Sequence, residues 1–203
     1  LRPLYLASSS PRRVAFFESL GLPVTALTPP EHAEPCPNPG EDPETYALRA
    51  ALAKASGVFS RIPPSGNVGP LVIAADTVVV IEGRILGKPI DSEQAFTMLS
   101  ALAGHTHTVI TGCALLGPDL ASPRIFSVSS LVEMWNCPPL LLRAYAGSGE
   151  PMDKAGAYAV QGAGAFLVKS ITGSWSNVVG LPLAEMIEAL LELRAVEPWS
   201  FAK

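Results

Sequence analysis

Apolar and polar positions along this chain fall into short blocks whose period switches between that of a strand and that of a helix. The run "LYLA" predicts a short buried strand, and "SSSPRRVAFFESLG" predicts a helix of about three turns, with a serine cap, Pro11 at the first helical position and a glycine stop. "LPVTALTPP" predicts a second strand, followed by the Pro-, Gly- and acid-rich loop "EHAEPCPNPGEDP". Asp42 as cap, Pro43 behind it and an alanine-rich apolar side predict a helix over about 43–59. "RIPPSGNVGP" predicts a surface excursion. "LVIAADTVVVIEGRILGKPI" predicts two strands joined by a tight turn at Glu82-Gly83.

Asp91 with Gln94 three residues on has the spacing of a capping box, so "DSEQAFTMLSALAG" predicts a helix that stops at Gly104. "HTHTVITGCALLG" and "SPRIFSVSSLVEM" predict two more strands as a hairpin, and "PPLLLRAYAGSG" a short helix. The stretch from Glu150 to Gly180 is glycine-rich loop mixed with strand. In "LPLAEMIEALLELRAV", Leu183, Met186 or Ile187, Leu190 and Leu193 form one stripe with the glutamates elsewhere, the mark of an amphipathic helix packed on the body. No repeat and no long linker interrupt this alternation. An α/β sandwich pinched into two lobes around a groove is the architecture it predicts.

Composition narrows the partners. With 203 residues, 48% hydrophobic and 16% charged, the chain can bury a core, and a net charge of -4 without blocks of like charge argues against a broad basic surface for nucleic acid. Small molecules are the expected partners. Cys36, Cys113 and Cys137 are odd in number and widely spaced, which predicts neither a disulfide framework nor a zinc knuckle and suits a reducing cytoplasm. No apolar run reaches about 18 residues and the start lacks a signal-peptide pattern, so neither a membrane span nor a leader is expected.

Two positions raise a chemical question. Arg12 and Arg13 lie in the first turn of the first helix, the end that already carries partial positive charge. An anion answers this most simply, because helix-start N–H groups, serine hydroxyls and two guanidiniums together cradle a polyphosphate; an acidic neighbour is the alternative. Asp76 stands in a run that should be buried on both faces, where an unpaired carboxylate is costly. A bound cation, a lysine, a strand end open to a cleft, or backbone donors would each compensate it.

Lys88 is expected on the return strand, on the face opposite Asp76 or on the same face if the pairing carries one extra residue. Arg49 and Lys54 share a helix but point about 140° apart, so they form no common stripe and each is expected to be solvated. Glu31 and Glu34 are wet loop carboxylates, either of which suits Mg²⁺ beside an anion site. His105 and His107 have the spacing of a metal pair but no partner cluster, which disfavours zinc. No Walker, Rossmann or serine-hydrolase signature is present.

Taken in order, "LASSSPRR", "RAALAKA", "AADTVV", "LGKPID", "ALAGHTHTVITG", "SGEPMDKAGAYAVQG" and "GSWSNVVGLPL" resemble the Maf family of nucleoside triphosphate pyrophosphatases over about residues 4–192. The resemblance implies one Maf-like catalytic domain over 1–203, a mixed central sheet with flanking helices and two lobes around an active-site groove, similar to inosine triphosphate pyrophosphatase. It implies hydrolysis between the α and β phosphates with Mg²⁺ or Mn²⁺. Ser8, Arg12, Arg13, Lys54 and Lys88 would bind phosphates, with the two lysines in the catalytic set. Asp76 would be the catalytic carboxylate and would share the metal with Glu34, or with its rival Glu31, and Gln161 would line the substrate pocket.

"DKAGAYAVQG" resembles the dTTP- and UTP-type branch rather than the 7-methyl-GTP-type branch, which implies a pyrimidine substrate, modified relatives included, and a house-cleaning role. "SLVEMWNCPP" and "RIPPSGNVGP" depart from the family pattern outside the phosphate motifs. A homodimer without membrane or stable nucleic-acid partners is also implied. The competing readings are a regulator that binds nucleotide or DNA to restrain septum formation, and a zinc phosphatase on His105 and His107.

Overall fold

The structure, a computed structural model, describes residues 2–63 and 69–197. The middle of the expected "RIPPSGNVGP" excursion therefore lies outside the described residues. The elements run β1 (Leu4–Ala7), α1 (Pro11–Ser19), β2 (Thr25–Leu27), a 3₁₀ turn (Glu31–Ala33), α2 (Pro43–Phe59), β3 (Leu71–Ile81), β4 (Arg84–Leu86), α3 (Ser92–Leu102), β5 (Thr106–Leu116), β6 (Arg124–Met134) and α4 (Pro139–Ala146). Three 3₁₀ turns follow (Glu150–Asp153, Ala155–Ala157, Gly162–Leu167), then β7 (Val168–Thr172), α5 (Trp175–Val179) and α6 (Leu183–Glu192).

The seven strands form a mixed sheet of order β2-β1-β3-β5-β6-β7, with β4 also paired to β3. β1 lies parallel to both β2 and β3, as strands joined through α1 and α2 must, whereas β4 returns antiparallel to β3. The Glu82-Gly83 turn has φ of 50° and 73° at its two residues, the left-handed pair that a two-residue hairpin needs.

Two compact units make up the described residues. The first comprises residues up to Asp76, Thr111–Ser127, and those from Gly180 onward. Here Ala51, Ala55 and Val58 of α2 join Ala7, Val72, Ala74 and Ala114 of the strands in one buried apolar cluster. Small residues let the helix lie almost on the strands: a Cβ added at Gly112 would come within 2.4 Å of the Ala47 carbonyl carbon. Asp42 caps α2 by accepting from Thr45 N at 3.0 Å.

The second unit comprises Thr77–Ile110 and Val128–Val179. Its core gathers Val79, Leu99, Leu102, Val109, Val132, Met134 and Leu142 among others. Asp91 accepts from Gln94 N at 2.7 Å, while the Gln94 side chain accepts from Ile90 N at 2.8 Å, one residue earlier than a regular capping box. Gly156, at φ 68°, sits against β3, where an added Cβ would meet Val79 at 2.9 Å. The glycine-rich segment expected as loop and strand holds three 3₁₀ turns and α5, with β7 its one strand.

Candidate functional site

The turn from β1 into α1 sets the first group of side chains. Ser8 is buried and its N–H donates to Leu6 O at 2.9 Å and Leu27 O at 3.1 Å, which fixes the turn against β2. Its hydroxyl accepts from Ser10 N at 3.1 Å. Ser10 occupies the N-cap of α1 without a side-chain capping bond, so the first-turn donors are not satisfied by their own cap.

Arg13 turns inward from that first turn. Its Nε donates to Gly180 O at 2.7 Å, and Nη1 comes within 3.5 Å of Ser8 Oγ. Burial lowers the Arg13 pKa; Asp76 and then Cys113 act against the shift, Arg12 adds to it, and Glu34 opposes it. The charges of Asp76 and Glu34 both favour the charged guanidinium. Arg12 is half-buried beside it.

Asp76 ends the first stretch of the first unit and lies on β3 between two pairings, Leu71–Ile73 with β1 and Val79–Ile81 with β4. Its compensation is a lysine: Lys54 Nζ, from α2, lies 2.5 Å from Asp76 Oδ1. The same ammonium lies 2.9 Å from Glu34 Oε2. Lys54 and Asp76 are largely covered, with side-chain exposures of 12% and 9%, while Glu34 at 49% faces out. One ammonium therefore gathers two carboxylates at a point that is closed on one side and open on the other. Of the two loop glutamates that the sequence left open, Glu34 is the one that meets Lys54.

Two further α2 residues matter that sequence reasoning undervalued. Arg49, expected to be solvated, clamps the acidic loop instead: Nε and Nη2 hold the two Glu41 oxygens at 2.8 and 2.6 Å, and Nη2 also donates to Cys36 O at 2.9 Å. This bond with Arg49, helped by the Asn38 N–H, holds the Glu41 pKa down to about 2. Arg49 and Lys54 face apart as their spacing required, and between them they tie both ends of the loop to one helix. Tyr46 is buried, and its phenol is pushed up to about 12 by burial first, then by the charges of Asp76 and Glu34. A tyrosine among alanines gave no signal beyond core.

Lys88 and Gln161 belong to the second unit. β4 ends at Leu86 in regular register, so Lys88 follows the strand rather than lying on it, and the same-face question does not arise. It is exposed, and the preceding Gly87 O accepts from Gly156 N at 3.0 Å. Gln161 is exposed and opens the 3₁₀ turn Gly162–Leu167.

His105 precedes β5, while His107 is buried with Nε2 at 2.7 Å from the Tyr158 hydroxyl. Among the described residues no group of three or more His, Cys, Asp or Glu side chains is arranged to hold a metal. All three cysteines are free thiols, and burial pushes Cys113 up to about 12. No described helix is long and apolar enough to cross a membrane.

The sequence matches the Maf family model, described as Maf-like protein, over residues 3–193. It is 50% identical over 194 residues to the dTTP/UTP pyrophosphatase of Nitratidesulfovibrio vulgaris, covering 96% of this chain and 89% of that protein. The dTTP/UTP pyrophosphatase of Desulfotalea psychrophila is 46% identical over 190 residues, 94% of either chain. That of Oleidesulfovibrio alaskensis is 45% identical over 197 residues, 97% of this chain and 87% of its own.

Proposed function

Because the chain belongs to the Maf family, we propose that it is a nucleoside triphosphate pyrophosphatase that hydrolyses dTTP and UTP to the monophosphate and pyrophosphate. The observation that carries the reading is Lys54 held between Asp76 and Glu34, with Arg13 turned inward onto Gly180 O and Ser8 Oγ. Hydrolysis at a phosphorus flanked by several negative charges needs cations held still more than it needs a strong base.

In this reading the triphosphate lies at the start of α1, where Ser8, Arg12 and Arg13 offer hydroxyl and guanidinium donors and the helix end adds its own field. Lys54 supplies further positive charge. Lys54 holds one oxygen of Asp76, and the other orders the attacking water and takes its proton. The water oxygen bonds to the α phosphorus as the bond from that phosphorus to the oxygen bridging to the β phosphate breaks, and the electron pair leaves with pyrophosphate. Gln161 contacts the base.

The donor set fits a divalent cation. Asp76 and Glu34 flank Lys54, each with one oxygen on its ammonium, and their other carboxylate oxygens would be the hard ligands that Mg²⁺ or Mn²⁺ takes alongside substrate phosphates and water, two such groups being enough when the substrate provides the rest. When bound, the cation offsets charge on the phosphate oxygens and the leaving group. A cytoplasmic homodimer that clears unwanted pyrimidine nucleotides completes the proposal; unpaired thiols suit that compartment. The test is pyrophosphate release from dTTP and UTP with Mg²⁺, with Asp76→Asn as control. Orthophosphate as the leaving group would refute the assigned bond.

A further inference from the structure

Gln161 is exposed, yet the backbone on both sides of it is tied down, and both ties lead to the same pair of side chains. Before it, Ala159 N donates to the Tyr145 hydroxyl at 3.3 Å. After it, Ala163 N and Gly164 N donate to the two Glu150 oxygens at 3.1 and 2.9 Å. Tyr145 OH itself donates to Glu150 Oε1 at 3.0 Å, which joins the two ties into one knot. The knot leaves no room for variation around it. A Cβ at Gly164 would fall 2.3 Å from the Tyr145 oxygen, and one at Gly162, already at φ 76°, would fall 3.2 Å from Glu150 Oε2.

The backbone that carries this carboxylate is in turn held in place. Glu150 N donates to Ser148 Oγ at 3.3 Å, and Lys154 Nζ donates to Glu150 O at 2.7 Å. A carboxylate that gathers two backbone N–H groups and a phenol fixes a short loop more firmly than glycine-rich chain could fix itself.

We infer that Glu150 and Tyr145 are positioning residues for Gln161 and so set how sharply the protein discriminates among nucleobases. The inference rests on the reading in which Gln161 contacts the base. A site that reads polar groups rejects a mismatched partner only while its own donors and acceptors are held in place. Loosening the knot therefore costs selectivity before it costs turnover.

The test measures kcat and KM for UTP and CTP with the full chain carrying Glu150→Gln, Tyr145→Phe or Gln161→Ala. Glu150→Gln keeps the shape but sets an amide NH₂ against one backbone donor, and Tyr145→Phe removes only the hydroxyl. Each is expected to lower the UTP/CTP ratio of kcat/KM by about tenfold through a raised KM for UTP, with kcat changed less, as for loss of one charge-assisted hydrogen bond. Amide exchange at 159–164 should quicken in both.

If Gln161→Ala collapses the ratio while both knot variants leave it unchanged, or lower kcat/KM equally for all nucleotides, the positioning role is wrong and the role of Gln161 stands. If Gln161→Ala leaves the ratio intact, the base contact is wrong and the inference falls with it. Should Glu150→Gln fail to fold, the nearly isosteric Tyr145→Phe decides alone.

Discussion

Acid should weaken the second unit through one buried imidazole. His107 is 2% exposed, meets Tyr158 edge-on with ring centroids 5.3 Å apart, and leaves Nδ1 buried without a hydrogen-bond partner. Burial pushes its pKa from 6.5 down to about 4. An unfolded chain takes up a proton near 6.5 and the folded one only near 4, so across that window the unfolded state holds more protons and stability falls as pH falls. Above about pH 7 the group contributes no slope. The full shift amounts to about 3 kcal/mol lost between pH 7 and pH 4, at about 1.4 kcal/mol for each unit. His107→Gln keeps a polar partner for Tyr158 and removes the titration. Urea unfolding at several pH values from 7.5 to 4 reads the difference between the two proteins, in which shared carboxylate titrations cancel. The native protein should lose its advantage over the variant as pH drops. A difference that stays flat, or that grows on acidification, would refute a buried neutral imidazole.

Arg49→Lys should raise the Mg²⁺ concentration for half-maximal turnover by about threefold to tenfold with kcat nearly unchanged, because lysine cannot reproduce the fork on Glu41 that fixes the loop bearing Glu34. A Mg²⁺ titration with unchanged half-saturation contradicts this. Gly112→Ala should lower stability by about 1–3 kcal/mol, since its methyl would collide with backbone at Ala47. Thermal melting with an unaltered midpoint would show that α2 does not pack so closely.

Much of the site was legible because it concentrated residues of the wrong kind in their places. Asp76 in a doubly buried run had to be compensated, and Lys54 compensates it; arginines at a helix start called for acceptors, and Arg13 turns inward onto Gly180 O and Ser8 Oγ. Periodicity located the helices, since capping residues and apolar stripes are local signals. What stayed hidden depended on distance in space. Arg49 and Glu41 are eight residues apart, one on α2 and the other in the loop before it, and no pattern tells that the loop folds back onto the helix. The choice between Glu31 and Glu34 likewise turned on reach to Lys54. Lys88 is expected on the return strand because the sequence does not mark where pairing ends, and it ends at Leu86. Glu150 carried no signal at all: its role arises from donors 13 and 14 residues later.

The central claim is that Asp76, held by Lys54, directs water onto the α phosphorus of a pyrimidine nucleoside triphosphate. UTP turnover in H₂¹⁸O with Mg²⁺ tests it most directly. The label is expected in UMP, with unlabelled pyrophosphate and a rate at least about a hundredfold lower for Asp76→Asn. Label in pyrophosphate, or full activity of that variant, would contradict it.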